Sequence, residues 1–153
     1  TCGWLLLISC DGFQHRIKCV KQREQEVVAL VDEITSPGWM LPLTGEVILM
    51  GHSFGGMTSL HAATLRKQVV AAIVMDPWFM TYKDDIFKLN KPCQILMTEH
   101  FAAEMAAKYP PTWCSEKECL NKFIRMNPHT DLKVLKDNMH FNQTDHVVIS
   151  PDW

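Results

Sequence analysis

The sequence predicts an α/β fold, a mostly parallel β-sheet with helices on both faces. Three observations point to it. Short apolar runs without polar alternation recur along the chain, stretches of helical periodicity separate them, and a Gly-x-Ser-x-Gly motif stands at one junction. Strands without alternation are buried on both sides, the condition of a helix-covered parallel sheet.

Trp4 to Ile8 reads as a short buried strand. No basic residues precede it, so it lacks the layout of a signal peptide. Residues 18–34 read as a helix, with Val20, Val27, Leu30, Val31 and Ile34 on one face and Lys21, Arg23, Glu24 and Glu26 largely opposite. Ser36-Pro37-Gly38 stops it. Val47 to Met50 is the next apolar run, followed by a helix from about Gly55 to Lys67. Val69 to Met75 and Ile95 to Met97 are two further strands, ending at Asp76 and near Glu99. Phe101 to Lys108 and Glu118 to Met126 read as helices, and Leu132 to Leu135 as a last strand.

The composition excludes several classes. Of 153 residues, 47% are hydrophobic and 21% charged, close to the averages of globular domains. A formal net charge of −2 offers no basic surplus for nucleic acid and no electrostatic draw to an anionic membrane. The longest stretch free of Asp, Glu, Lys and Arg, Val47 to Leu65, holds His52, Ser53, Thr58 and three glycines and does not read as a transmembrane span. The cysteines at 2, 10, 19, 93, 114 and 119 contain no Cys-x-x-Cys and no zinc spacing. They read as thiols in a reducing compartment, with one or two disulfides in a secreted enzyme as the alternative; the reading leans to cytoplasm over secretion and leaves localisation open.

Gly51-His52-Ser53-Phe54-Gly55 has the form of a nucleophile elbow between strand and helix, the signature of an α/β-hydrolase fold. Such a turn holds the serine in a strained conformation. Side chains at Gly51 and Gly55 are expected to collide, and the Phe54 N–H is expected to face an oxyanion. Serine needs a base. His61, His100, His129, His140 and His146 lie downstream, and His140 follows the last strand directly, with His146 in reserve. For the acid, Asp76 and Glu99 each end a strand, and spacing alone leaves them even.

Taken together, GHSFGG at Gly51 to Gly56, Asp76-Pro77-Trp78-Phe79-Met80, Met97-Thr98-Glu99 and His140 with Asp145 resemble the platelet-activating factor acetylhydrolases, the group VII phospholipases A(2). The resemblance runs over roughly residues 23–149. It implies Asp76 as the acid, with Glu99 at a non-catalytic position, and it favours His140 over His146. It further implies a calcium-independent serine esterase that cleaves a short or oxidised sn-2 acyl ester of a phospholipid, with no cofactor or metal. Alternatives are another carboxylesterase or lipase of the same fold, and a catalytically silent product that binds lipid or a partner.

Members of that family are longer, and the loop carrying their second oxyanion donor has no convincing match in residues 1–19. The chain is therefore expected to be one partial domain, truncated on its N-terminal side, with an unpaired sheet edge prone to aggregation. Trp78, Phe79 and Met80 are expected either to line an acyl or lipid-facing surface or to pack in the core. Asn142-Gln143-Thr144 matches a glycosylation sequon and reads as an unused one.

Overall fold

The computed structural model describes residues 10–40, 45–108 and 115–143. Its elements are α1 (Cys10–Ile34), β1 (Val47–His52), α2 (Phe54–Leu65), β2 (Val69–Met75), β3 (Cys93–Thr98), α3 (Phe101–Lys108), α4 (Glu116–Met126) and β4 (Thr130–Leu135). Two short 3-10 turns, Phe79–Tyr82 and His140–Gln143, follow the ends of β2 and β4. The strand expected at residues 4–8 lies outside the described residues.

The four strands pair in parallel in the order β1-β2-β3-β4. Val69, Ala72 and Val74 of β2 and Cys93, Ile95 and Met97 of β3 join one core cluster with residues of all four helices. The fully buried Val69, Val74 and Ile95 each stabilise the fold by about 2 kcal/mol through removal from water. On the opposite face Ile48 and Met50 are exposed, beside their register partners Ala71 and Ile73. The core cluster thus lies on the face away from Ile48 and Met50.

The inward stripe of α1 consists of Val20, Glu24, Val28 and Val31, at spacings of four, four and three. Glu24 thus turns into the core rather than away from it, and Leu30 is 57% exposed. A buried carboxylate needs partners. Glu24 accepts a hydrogen bond from the Tyr82 hydroxyl and lies 3.0 Å from His61 Nδ1. Burial, then the Glu24 contact, pushes the Tyr82 phenol up, which keeps it a donor. This cluster joins α1, α2 and the turn after β2.

Helix α4 begins at Glu116, two residues before the expected start, because Ser115 and Glu118 form a capping box. Ser115 Oγ accepts from Glu118 N and Glu118 Oε2 from Ser115 N, both at 3.2 Å. Helix α1 extends upstream to Cys10, through residues that carry no apolar stripe. Cys19, Cys93 and Cys119 are free thiols, and burial pushes Cys93 up to about 12.

Candidate active site

The site lies at the carboxyl ends of β1, β2 and β4, where loops leave a parallel sheet. Ser53 joins β1 to α2 with φ 58 and ψ −123, a conformation that costs a non-glycine residue on the order of 1–3 kcal/mol. The neighbouring strand β2 and the segment after it hold it there. Ser53 N donates to Met75 O at 2.8 Å, and Ser53 O accepts from Trp78 N at 3.4 Å. Gly51 is obligatory, since a Cβ there would sit 2.3 Å from Gly55 O. At Gly55 the expected collision is absent, for a Cβ would meet nothing within 4 Å. The second crowded glycine is Gly56, whose Cβ would lie 3.2 Å from both Gly51 O and the Pro77 side chain. It lets α2 pack close to the ends of β1 and β2.

His140 opens the 3-10 turn after β4 and is buried. Its Nε2 lies 2.8 Å from Ser53 Oγ, and its Nδ1 lies 3.0 Å from Asp76 Oδ2. A carboxylate only accepts, so Nδ1 carries the proton and the neutral ring's Nε2 accepts from the serine hydroxyl. Asp76, fully buried at the end of β2, has φ 41. Oδ1 accepts from Thr98 N at 2.7 Å; Oδ2 accepts from Thr98 Oγ1 at 2.7 Å and from Gln143 Nε2 at 2.8 Å. These donors satisfy a carboxylate cut off from water.

Two rings stack on the His140 imidazole. His52 stacks on it at a centroid distance of 4.4 Å and Phe101 at 4.5 Å. His52 Nε2 also lies 3.1 Å from His140 O and donates to it. Burial, and then the neighbouring His140, lowers the His52 pKa. Behind the site, the buried Glu116 carboxyl accepts from Phe79 N at 2.7 Å and Met80 N at 3.1 Å, holding the turn that follows Asp76. Burial pushes Glu116 up to about 8 despite those two amides.

The other sequence candidates among the described residues lie apart. Glu99 is exposed and accepts from Asp137 N at 2.9 Å. His100 and His129 are exposed, and His61 packs between Tyr82 and Phe87. His146 and Asp145 lie outside the described residues. Phe79 and Met80 are core residues rather than an acyl-facing surface. Trp78 is half-buried, with the Arg16 guanidinium 6.0 Å from its ring centroid. Asn142 is exposed, and its Oδ1 accepts from Met139 N at 2.7 Å.

His52, Asp76 and His140 also bring potential metal-ligand atoms within 4.8 Å of one another. In this structure both His140 nitrogens and His52 Nε2 face protein hydrogen-bond partners. The arrangement can move a proton from Ser53 to His140 while Asp76 holds the imidazole. Phe54 N–H, in the first turn of α2, is among the amides a helix leaves without an internal partner. No helix among the described residues is long and apolar enough to cross a membrane.

Comparison with known proteins gives a consistent picture. Residues 41–153 match the family described as platelet-activating factor acetylhydrolase, isoform II. The chain is 23% identical over 101 residues to the platelet-activating factor acetylhydrolase of Cavia porcellus, a match that covers 65% of this chain and 21% of that protein. In structure it is similar to a ferulic acid esterase from Streptomyces cinnamoneus, with a TM-score of 0.66 and 23% identity over 90% of this chain and 38% of that one. This likeness shows the α/β-hydrolase fold. An esterase of Pyrococcus furiosus aligns with a TM-score of 0.49 and 13% identity, over 84% of this chain and 55% of that one.

Proposed function

The chain belongs to the platelet-activating factor acetylhydrolase family, and from that premise we propose that it is a serine esterase acting on the short or oxidised sn-2 acyl ester of a phospholipid. The observation that carries the chemistry is the run of contacts Ser53 Oγ to His140 Nε2 at 2.8 Å and His140 Nδ1 to Asp76 Oδ2 at 3.0 Å. The strained φ of Ser53 at the start of a helix supports the same role.

In this mechanism Ser53 Oγ attacks the ester carbonyl carbon while its proton passes to His140 Nε2. Asp76 fixes the ring's tautomer and steadies the imidazolium. Phe54 N–H donates to the oxyanion as the carbonyl π bond opens. The tetrahedral intermediate collapses, the C–O bond to the glycerol breaks, and His140 returns its proton to the departing lysophospholipid alcohol. Water, deprotonated by His140, then attacks the acyl-serine carbonyl; the bond to Ser53 Oγ breaks, His140 returns the proton to Oγ, and the carboxylic acid leaves. In this mechanism protein groups supply the nucleophile, the base and the oxyanion donor, and a chelator should leave the rate unchanged.

The substrate assignment rests on the family. Its test compares hydrolysis of an sn-2 acetyl phospholipid with that of an aryl acetate. Turnover of both, abolished by Ser53→Ala, is expected. Turnover of the aryl ester alone would sink the phospholipid assignment and leave an esterase of another specificity.

A further inference from the structure

We infer that His52, the variable residue inside the Gly-x-Ser-x-Gly motif, is a positioning residue that clamps the base His140 to the nucleophile's own strand. The role deepens the esterase mechanism above and rests on it.

His140 begins a turn that follows β4, which among the described strands lies at the far side of the sheet from β1. Its backbone amide has a long bond, 3.4 Å, to Glu104 Oε2. Its carbonyl, by contrast, is held at 3.1 Å by His52 Nε2, one residue before Ser53. Nucleophile and base are thus tied by two routes, one through the 2.8 Å Oγ–Nε2 contact and one through this bond. Only the second is independent of the proton that moves during the reaction.

The stacking acts on the ring itself. With His52 and Phe101 both stacked on it, the imidazole cannot swing out of line with Ser53 Oγ without losing these ring contacts. The bond to a carbonyl fixes His52 in the tautomer with hydrogen on Nε2. Burial and its neighbour favour the neutral ring. A neutral His52 places no second positive charge beside the imidazolium that forms on His140. Phe101 supplies an aromatic face to the same cation.

The test uses two substitutions and two readouts. Rates of Ser53 modification by a fluorophosphonate are measured for the parent chain, His52→Ala and His52→Gln, with folding checked by circular dichroism. Alanine removes both donor and ring and is expected to slow labelling by about 100-fold, the loss associated with an ångström-scale misplacement. Glutamine keeps an N–H donor of similar reach and is expected to recover about tenfold of that. In parallel, the downfield proton NMR signal of His140 Nδ1–H should broaden in His52→Ala through faster solvent exchange, a readout that needs no turnover.

A folded alanine variant with parent-like labelling and an unchanged Nδ1–H signal would overturn the clamp alone. So would a glutamine variant that is folded but no faster than alanine. An unreactive parent Ser53 would instead overturn the esterase mechanism, and the clamp with it.

Discussion

Thr98 binds Asp76 twice, its amide to Oδ1 and its hydroxyl to Oδ2, both at 2.7 Å. The two bonds fix the carboxylate plane so that Oδ2 also reaches His140 Nδ1. Thr98→Val keeps shape and amide but deletes the hydroxyl donor. The expected loss is about 1–2 kcal/mol of stability by urea unfolding, with a lower kcat and little change in KM. A variant as stable and as active as the parent would show that the Thr98 amide and Gln143 suffice to orient Asp76.

The acid assignment separates Asp76 from Glu99. Asp76→Asn suits the positive φ of that position but disturbs the imidazole tautomer. By analogy with loss of a triad aspartate it should lower kcat about 10⁴-fold. Glu99→Gln, at an exposed carboxylate, should leave kcat within about twofold, in keeping with the small effects of surface substitutions. The reverse pattern in an ester hydrolysis assay would transfer the role to Glu99.

The glycines of the elbow are unequal. Gly51→Ala drives a Cβ to within 2.3 Å of the Gly55 carbonyl and should cost several kcal/mol and abolish Ser53 labelling. Gly55→Ala enters open space on a helix and should be neutral or stabilising by up to about 1 kcal/mol. Thermal unfolding of the two variants checks the ordering.

Much of this was legible in the sequence for local reasons. A nucleophile elbow is written in five consecutive residues, and buried parallel strands declare themselves by missing alternation. The position after the last strand points to His140, and the family resemblance favours Asp76 over Glu99. What stayed hidden depends on contacts between distant residues. Glu24 carries a charge that hydropathy assigns to solvent, yet it meets Tyr82, 58 positions away. Thr98 and Gln143 gain meaning only when β3 and the turn after β4 converge on Asp76. Phe101 read as an ordinary helix residue until its ring lay against His140. The motif alone predicts crowding at Gly55, whereas a Cβ there meets nothing within 4 Å.

Glu116 makes stability depend on pH. In the unfolded chain its carboxyl ionises near 4.5, whereas in the fold burial raises this to about 8. Between those values the native state holds a proton that the unfolded state has released. Its contribution is therefore full below 4.5 and is lost as pH rises through about 8, at up to about 1.4 kcal/mol per pH unit. The parent's stability relative to Glu116→Gln should fall over that range in urea unfolding. A flat difference would mean that the two amides from Phe79 and Met80 keep the carboxylate ionised.

The Glu24–Tyr82 contact is structural. Tyr82→Phe removes the hydroxyl donor from a buried carboxylate and should cost about 1–3 kcal/mol in unfolding experiments. The rate of Ser53 labelling in the folded protein should not change. A large fall in that rate would draw the cluster into the chemistry.

Active-site labelling tests the central claim most directly. A fluorophosphonate reports an activated serine without regard to the natural substrate, and peptide mapping locates the adduct. One adduct per chain on Ser53 is expected, lost in Ser53→Ala and slowed by orders of magnitude in His140→Ala and Asp76→Asn. A folded chain whose Ser53 stays unmodified, or is modified equally fast without His140, would contradict the account.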